Sequence, residues 1–91
     1  MKKRIHACYI GRVQGVGFRF TAEAMAVDLG LGGWVKNMPG GQVELVCEGK
    51  EEDLHKILDK VDGQFSGYIR QKNVNWMPAT GEFSGFEIRF F

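Results

Sequence analysis

The chain alternates between two apolar periods, one of two residues and one near 3.6, and the changes of period mark its elements. Arg4 to Ile10 reads as a first strand, with an extended apolar run from Ile5 to Ile10. Helical spacing follows from Thr21 to Leu29: Phe18, Ala22, Met25, Ala26 and Leu29 share one face, and Gly30 supplies a stop. Trp34 and Val35 mark a second strand ending near Asn37, and Met38-Pro39-Gly40-Gly41 reads as a hairpin turn. In the third strand Val43, Leu45 and Cys47 face one way, and Gln42, Glu44 and Glu48 the other. A second helix begins after Gly49, with Glu51, Glu52 and Asp53 complementing the dipole of its first turn. Its apolar stripe is Leu54, Ile57, Leu58 and Val61, and Gly63 is expected to end it. A fourth strand runs from about Tyr68 to Trp76, and Pro78 to Gly85 connects it to a last one. There Phe86, Ile88 and Phe90 alternate with Glu87 and Arg89.

The order is strand, helix, strand, strand, helix, strand, plus a strand at the end. That is an α+β plan, the ferredoxin-like split βαβ sandwich, with both helices on one face of an antiparallel sheet. No linker or repeat divides residues 1–91, so one domain is expected. Such a plan serves many functions and names none.

Composition removes several classes of function. A formal charge of +1 gives no global field favouring nucleic acid or an anionic membrane. No apolar run is long enough to span a bilayer. The basic start Met1-Lys2-Lys3-Arg4 is followed by too short a run for a signal peptide, so a cytoplasmic protein is expected. Cys8 and Cys47 each fall in a strand and read as reduced, small apolar side chains. His6 and His55 have no neighbouring ligands, so neither suggests a metal site.

The informative segment is Gly11-Arg12-Val13-Gln14-Gly15-Val16-Gly17-Phe18-Arg19, between the first strand and the first helix. A glycine-bearing loop at a helix start can turn several N–H groups toward one anion. Arg19 adds a planar fork suited to phosphate. Known phosphate loops do not fit. There is no Gly-Lys followed by Ser or Thr, and Gly15-Val16-Gly17-Phe18-Arg19 runs into Phe20 where a dinucleotide fold needs glycine. Val13 stands where a Cys-x5-Arg phosphatase needs its cysteine, and no carboxylate lies on the loop.

The loop thus offers phosphate a seat without a nucleophile. Hydrolysis there would use water directly, and would suit a leaving group that departs unaided. A carboxylate qualifies, its conjugate acid having a pKa of ~4. Mixed carboxylic-phosphoric anhydrides meet this condition and ordinary phosphate esters do not. Asn37, at the end of the second strand, can orient that water through its amide. On spacing alone, a turn asparagine and a surface arginine remain open readings of these residues.

Together these residues resemble the acylphosphatases, small free-standing bacterial-type members included. The likeness covers nearly the whole chain. It is strongest at Gly11 to Arg19 and at Gly33-Trp34-Val35-Lys36-Asn37, with Gly85 to Phe90 similar to the family's terminal strand. Phe90 and Phe91 stand where many members end in tyrosine, and Gly17 stands where some carry cysteine. The resemblance implies hydrolysis of acyl phosphates to a carboxylate and inorganic phosphate, with no metal or cofactor. It implies that Gly15, Val16, Gly17, Phe18 and Arg19 bind the phosphoryl group and that Asn37 orients the attacking water. It further implies a monomer; from the charge and the lack of a spanning run, neither nucleic acid nor membrane is expected as partner. The competing reading is a non-catalytic ferredoxin-like module binding RNA or a small anion. Against it, the third strand, Val43 to Glu48, has no aromatic residue and carries two acids.

Overall fold

Strand β1, Lys2–Gly11, buries Ile5, Ala7 and Tyr9 on one face, because successive side chains of a strand alternate. A computed structural model describes residues 2–90 of the chain; Phe91 lies outside them. Helix α1, Phe18–Asp28, starts earlier than the apolar run from Thr21 suggests. Phe18 is its first residue and is buried with Ala22 and Ala26. Its end closes as a Schellman motif: Leu31 N–H donates to the Ala26 carbonyl at 2.9 Å and Gly30 N–H to Val27 at 3.1 Å.

Strands β2, Gly32–Asn37, and β3, Val43–Lys50, form the expected hairpin. Helix α2, Glu51–Gln64, runs through Gly63 instead of stopping there, and buries Leu54, Ile57, Leu58 and Val61. Strand β4, Ile69–Pro78, is longer than its apolar signal, because its pairing with β1 continues through Met77 and Pro78. Strand β5 is Phe86–Arg89.

The sheet order is β4-β1-β3-β2-β5. Both helices cover the face made by Ile5, Ala7, Tyr9, Val35, Val43, Leu45 and Cys47, and the core lies between. Tyr9, Phe18 and Phe65 stack through it, with ring centroids 5.0 and 4.7 Å apart. The split βαβ strands are antiparallel, as expected, while β5 pairs parallel to β2 and makes the sheet mixed.

That addition follows from topology. Strands β4 and β5 are opposite edges, so the segment between them must cross one end of the sheet. Arg4 on β1 and Glu48 on β3 hold it there. Glu48 accepts from Thr80 N–H at 2.8 Å, Gly81 N–H at 2.9 Å and Arg4 Nε at 2.6 Å. Arg4 also pairs with Glu82 and donates to the Thr80 hydroxyl at 2.9 Å. Farther along, the Gly85 carbonyl accepts from Gly33 N–H at 2.9 Å, and β5 begins.

The cysteines point to opposite faces. Cys47 is in the core and Cys8 on the open face, and both are free thiols. Burial pushes the Cys47 thiol up to about 12.

Candidate active site

The loop leaving β1 is anchored before it opens. Arg12 N–H donates to the Tyr68 carbonyl at 2.8 Å, and the Val13 side chain is fully buried. Gly15 and Gly17 then take positive φ angles of 77° and 80°, with no positive φ at Val16 between them. Alternating handedness of this kind turns successive N–H groups toward one side, a concavity suited to anions. A Cβ built on either glycine would meet nothing within 4 Å, so the backbone angle calls for glycine there and crowding does not.

Gly17 caps α1 in the left-handed conformation, and its carbonyl accepts the first helical bond, from Thr21 N–H at 3.0 Å. Helix geometry leaves the N–H groups before that bond without internal acceptors. Among the described residues, the amides of residues 15–20 make no hydrogen bond within the chain. The dipole of α1 adds its positive end at the same place.

Gly15, Gly17, Phe18 and Arg19 line a cavity of about 260 Å³, together with Val13, Phe20 and Asn37. Two segments distant in sequence, the loop and the end of β2, therefore meet in one hollow. Val16 is the member of the expected phosphate-binding run that does not line it; its side chain packs on the core. The Arg19 guanidinium lies over the Phe90 ring, 5.1 Å from its centroid, and among the described residues forms no salt bridge. That stacking restrains the fork while leaving its N–H edge available. The Oδ1 atom of Asn37 is buried and meets no donor in the chain. An unsatisfied buried carbonyl oxygen costs stability, and a ligand or water that donates to it removes the cost.

The lining holds one cation, one amide and main-chain donors, and no imidazole, carboxylate or thiol. This set can hold an oxyanion and orient a donor beside it. Among the described residues, no three His, Cys, Asp or Glu side chains gather as metal ligands. A larger hollow of about 430 Å³ is bounded by Leu31, Glu48, Asp53 and Phe83. Its buried acid is already engaged by Arg4, Thr80 and Gly81.

Sequence reasoning missed three participants. Phe20 lines the cavity, Phe90 packs on Arg19, and Gln14 ties the loop to the β2–β3 turn. Phe90 directly follows β5, a strand whose place in the sheet no local pattern shows. Phe20 was legible only as the residue after Arg19.

A family profile described as Acylphosphatase matches residues 5–88. An acylphosphatase of Methylococcus capsulatus is 42% identical over 87 residues, spanning 94% of this chain and 95% of its own. One from Pelotomaculum thermopropionicum is 39% identical over 90 residues, 98% of each chain. Among solved structures, acylphosphatase from Bacillus subtilis superposes with a TM-score of 0.86 at 29% identity, covering 96% of this chain and 98% of its own.

Proposed function

The chain belongs to the acylphosphatase family, and from that premise we propose how it hydrolyses the carboxyl-phosphate bond of acyl phosphates. The phosphoryl group sits in the amides of residues 15–20 at the start of α1. Arg19 grips its oxygens and offsets their charge. Asn37 accepts one hydrogen of a water through Oδ1 and aims its lone pair at phosphorus, opposite the acyl oxygen. The water oxygen bonds to phosphorus and the bond from phosphorus to the acyl oxygen breaks. The carboxylate leaves with that electron pair, and the water's proton passes to phosphate or solvent. An amide is too weak a base to remove the proton, so Asn37 contributes orientation.

The buried, unpartnered Oδ1 of Asn37 carries this reading, because it shares a cavity with Arg19 and the open amides. Pockets that enclose a drug-sized ligand run from ~300 Å³ upward. A hollow of about 260 Å³ suits the phosphoryl end and leaves the acyl group toward solvent, which predicts broad acyl tolerance.

The RNA-binding alternative finds little support. The open face of the central strands presents His6, Cys8, Glu44 and Val46, with no Phe, Tyr or Trp among them on which bases could stack. We assign residues 1–91 to one domain acting as a cytoplasmic monomer without a cofactor. The free thiols on opposite sheet faces suit a reducing compartment, and one chain supplies every proposed site residue. No helix among the described residues is long and apolar enough to cross a membrane.

The test is hydrolysis of benzoyl phosphate with a chelator present, comparing wild type with Asn37→Ala. Asn37→Ala should lose nearly all turnover while inorganic phosphate still inhibits competitively at a similar concentration. Equal loss of turnover and phosphate binding would contradict this division of labour.

A further inference from the structure

We propose that Gln14 is a positioning residue, whose side-chain amide holds the water-orienting Asn37 in register with the phosphate cradle. The Nε2 group of Gln14 donates to the Met38 carbonyl at 2.9 Å and to the Gln42 carbonyl at 3.0 Å. These carbonyls stand on the two legs of the turn that follows Asn37. Both neighbours are acceptors, so the NH2 end must face them. The amide uses both its hydrogens as a staple across the turn.

The two halves of the site have unequal support. The cradle is fixed by its own surroundings: Val13 is buried, Val16 packs on the core, and Gly17 accepts the first bond of α1. The turn is held internally by Met38 N–H to the Gln42 carbonyl at 2.8 Å and Gly41 N–H to the Met38 carbonyl at 3.2 Å. Gly40 and Gly41 within it have φ of 94° and 95° and add no restraining side chain. Among the described residues, no hydrogen bond other than the two from Gln14 joins residues 12–17 to residues 37–42. Without them, α1 and β2 still pack side by side, but the hydrogen-bonded route runs through the strands, where β1 and β2 reach each other by way of Val43.

Gln14 is exposed, so water competes for its hydrogen bonds and they add little to global stability. Its effect on rate is of another order, since a misplacement of ~1 Å at a reacting group can cost ~10²-fold. The amide therefore matters to the chemical step and little to folding.

The proposal rests on Asn37 orienting the attacking water, and the experiment separates the two claims. Gln14→Met, Gln14→Glu and Gln14→Lys are compared in benzoyl phosphate turnover, competitive inhibition by phosphate and urea midpoint. Gln14→Met keeps length and loses both donors. Its kcat should fall ~10-fold or more, with the phosphate inhibition constant within about twofold and the urea midpoint nearly unchanged. Gln14→Glu sets a carboxylate against two carbonyls and should be slower still. Gln14→Lys supplies an ammonium able to donate to both, and should recover much of the loss in kcat. In an Asn37→Ala background, Gln14→Met should change residual turnover by less than about twofold, since its effect passes through Asn37. The inference is overturned if Gln14→Met keeps wild-type kcat, if phosphate affinity falls in step with kcat, or if Gln14→Lys is no faster than Gln14→Met. A fully active Asn37→Ala protein would instead remove the catalytic reading beneath it.

Discussion

Arg19 and Asn37 bring different chemistry to one hollow. Arg19 is a cation braced by the Phe90 ring, and in the proposed mechanism it acts on the phosphoryl group from binding through bond cleavage. Asn37 is neutral, and in the proposed mechanism it affects only where the water stands. Replacement of Arg19 by Ala should lower kcat/KM by ~10³-fold or more, by analogy with arginines that neutralise phosphoryl transfer. It should also weaken competitive inhibition by phosphate, as Asn37→Ala should not. Steady-state kinetics on benzoyl phosphate, with phosphate as inhibitor, separates the two patterns. Arg19→Lys should recover little, because a point charge cannot grip two oxygens in one plane. The arginine was legible in the sequence because it follows a glycine loop. The asparagine was legible only from its place at a strand end and from the resemblance of Gly33 to Asn37, since spacing alone left it a turn residue; the structure adds that its buried Oδ1 shares the cavity.

The elements explain why so short a chain can hold these groups apart and aligned. Strand β2 carries Asn37 at its end and depends on close approach to β3 at Gly33. A Cβ there would lie 1.9 Å from the Val46 carbonyl oxygen, at a φ of 142°. Gly33→Ala must therefore push the two strands apart and should destabilise the protein by more than ~2 kcal/mol. Gly15→Ala meets no neighbour within 4 Å and carries only its left-handed strain, of ~1–2 kcal/mol. Urea unfolding of both variants should rank Gly33→Ala the less stable; the reverse order would contradict the packing account. Periodicity located every helix and strand, but it misplaced some of their ends. Helix α1 begins at Phe18 because a buried aromatic in its first turn packs on Tyr9 and Phe65. Helix α2 runs past Gly63 because glycine without a left-handed turn need not stop a helix.

Across the whole molecule, the crossing from β4 to β5 links the far end of the sheet to the site. Glu48 is the buried acid at its centre. Burial alone would raise its pKa; the Thr80 N–H, the Arg4 guanidinium and the Gly81 N–H outweigh this and hold it at about 2, below an ordinary 4.5. A depressed carboxylate pKa stabilises the fold above pH 4.5, and that contribution is lost as pH falls toward 2. Glu48→Gln should cost ~1–3 kcal/mol near neutrality and flatten the acid limb of stability over that window. Urea midpoints measured from pH 7 to pH 2 check this; an unchanged acid limb would show that Glu48 does not carry it. The sequence by itself determined the order of elements, the apolar faces and the glycine-arginine loop, because each is set by neighbours along the chain and by backbone stereochemistry. Only the tertiary structure decided that β5 joins parallel to β2, that Phe90 braces Arg19, that Gln14 staples the turn, and that Asn37 faces the cradle. Those are contacts between residues far apart in sequence, and a local pattern carries no record of which distant surface will meet it.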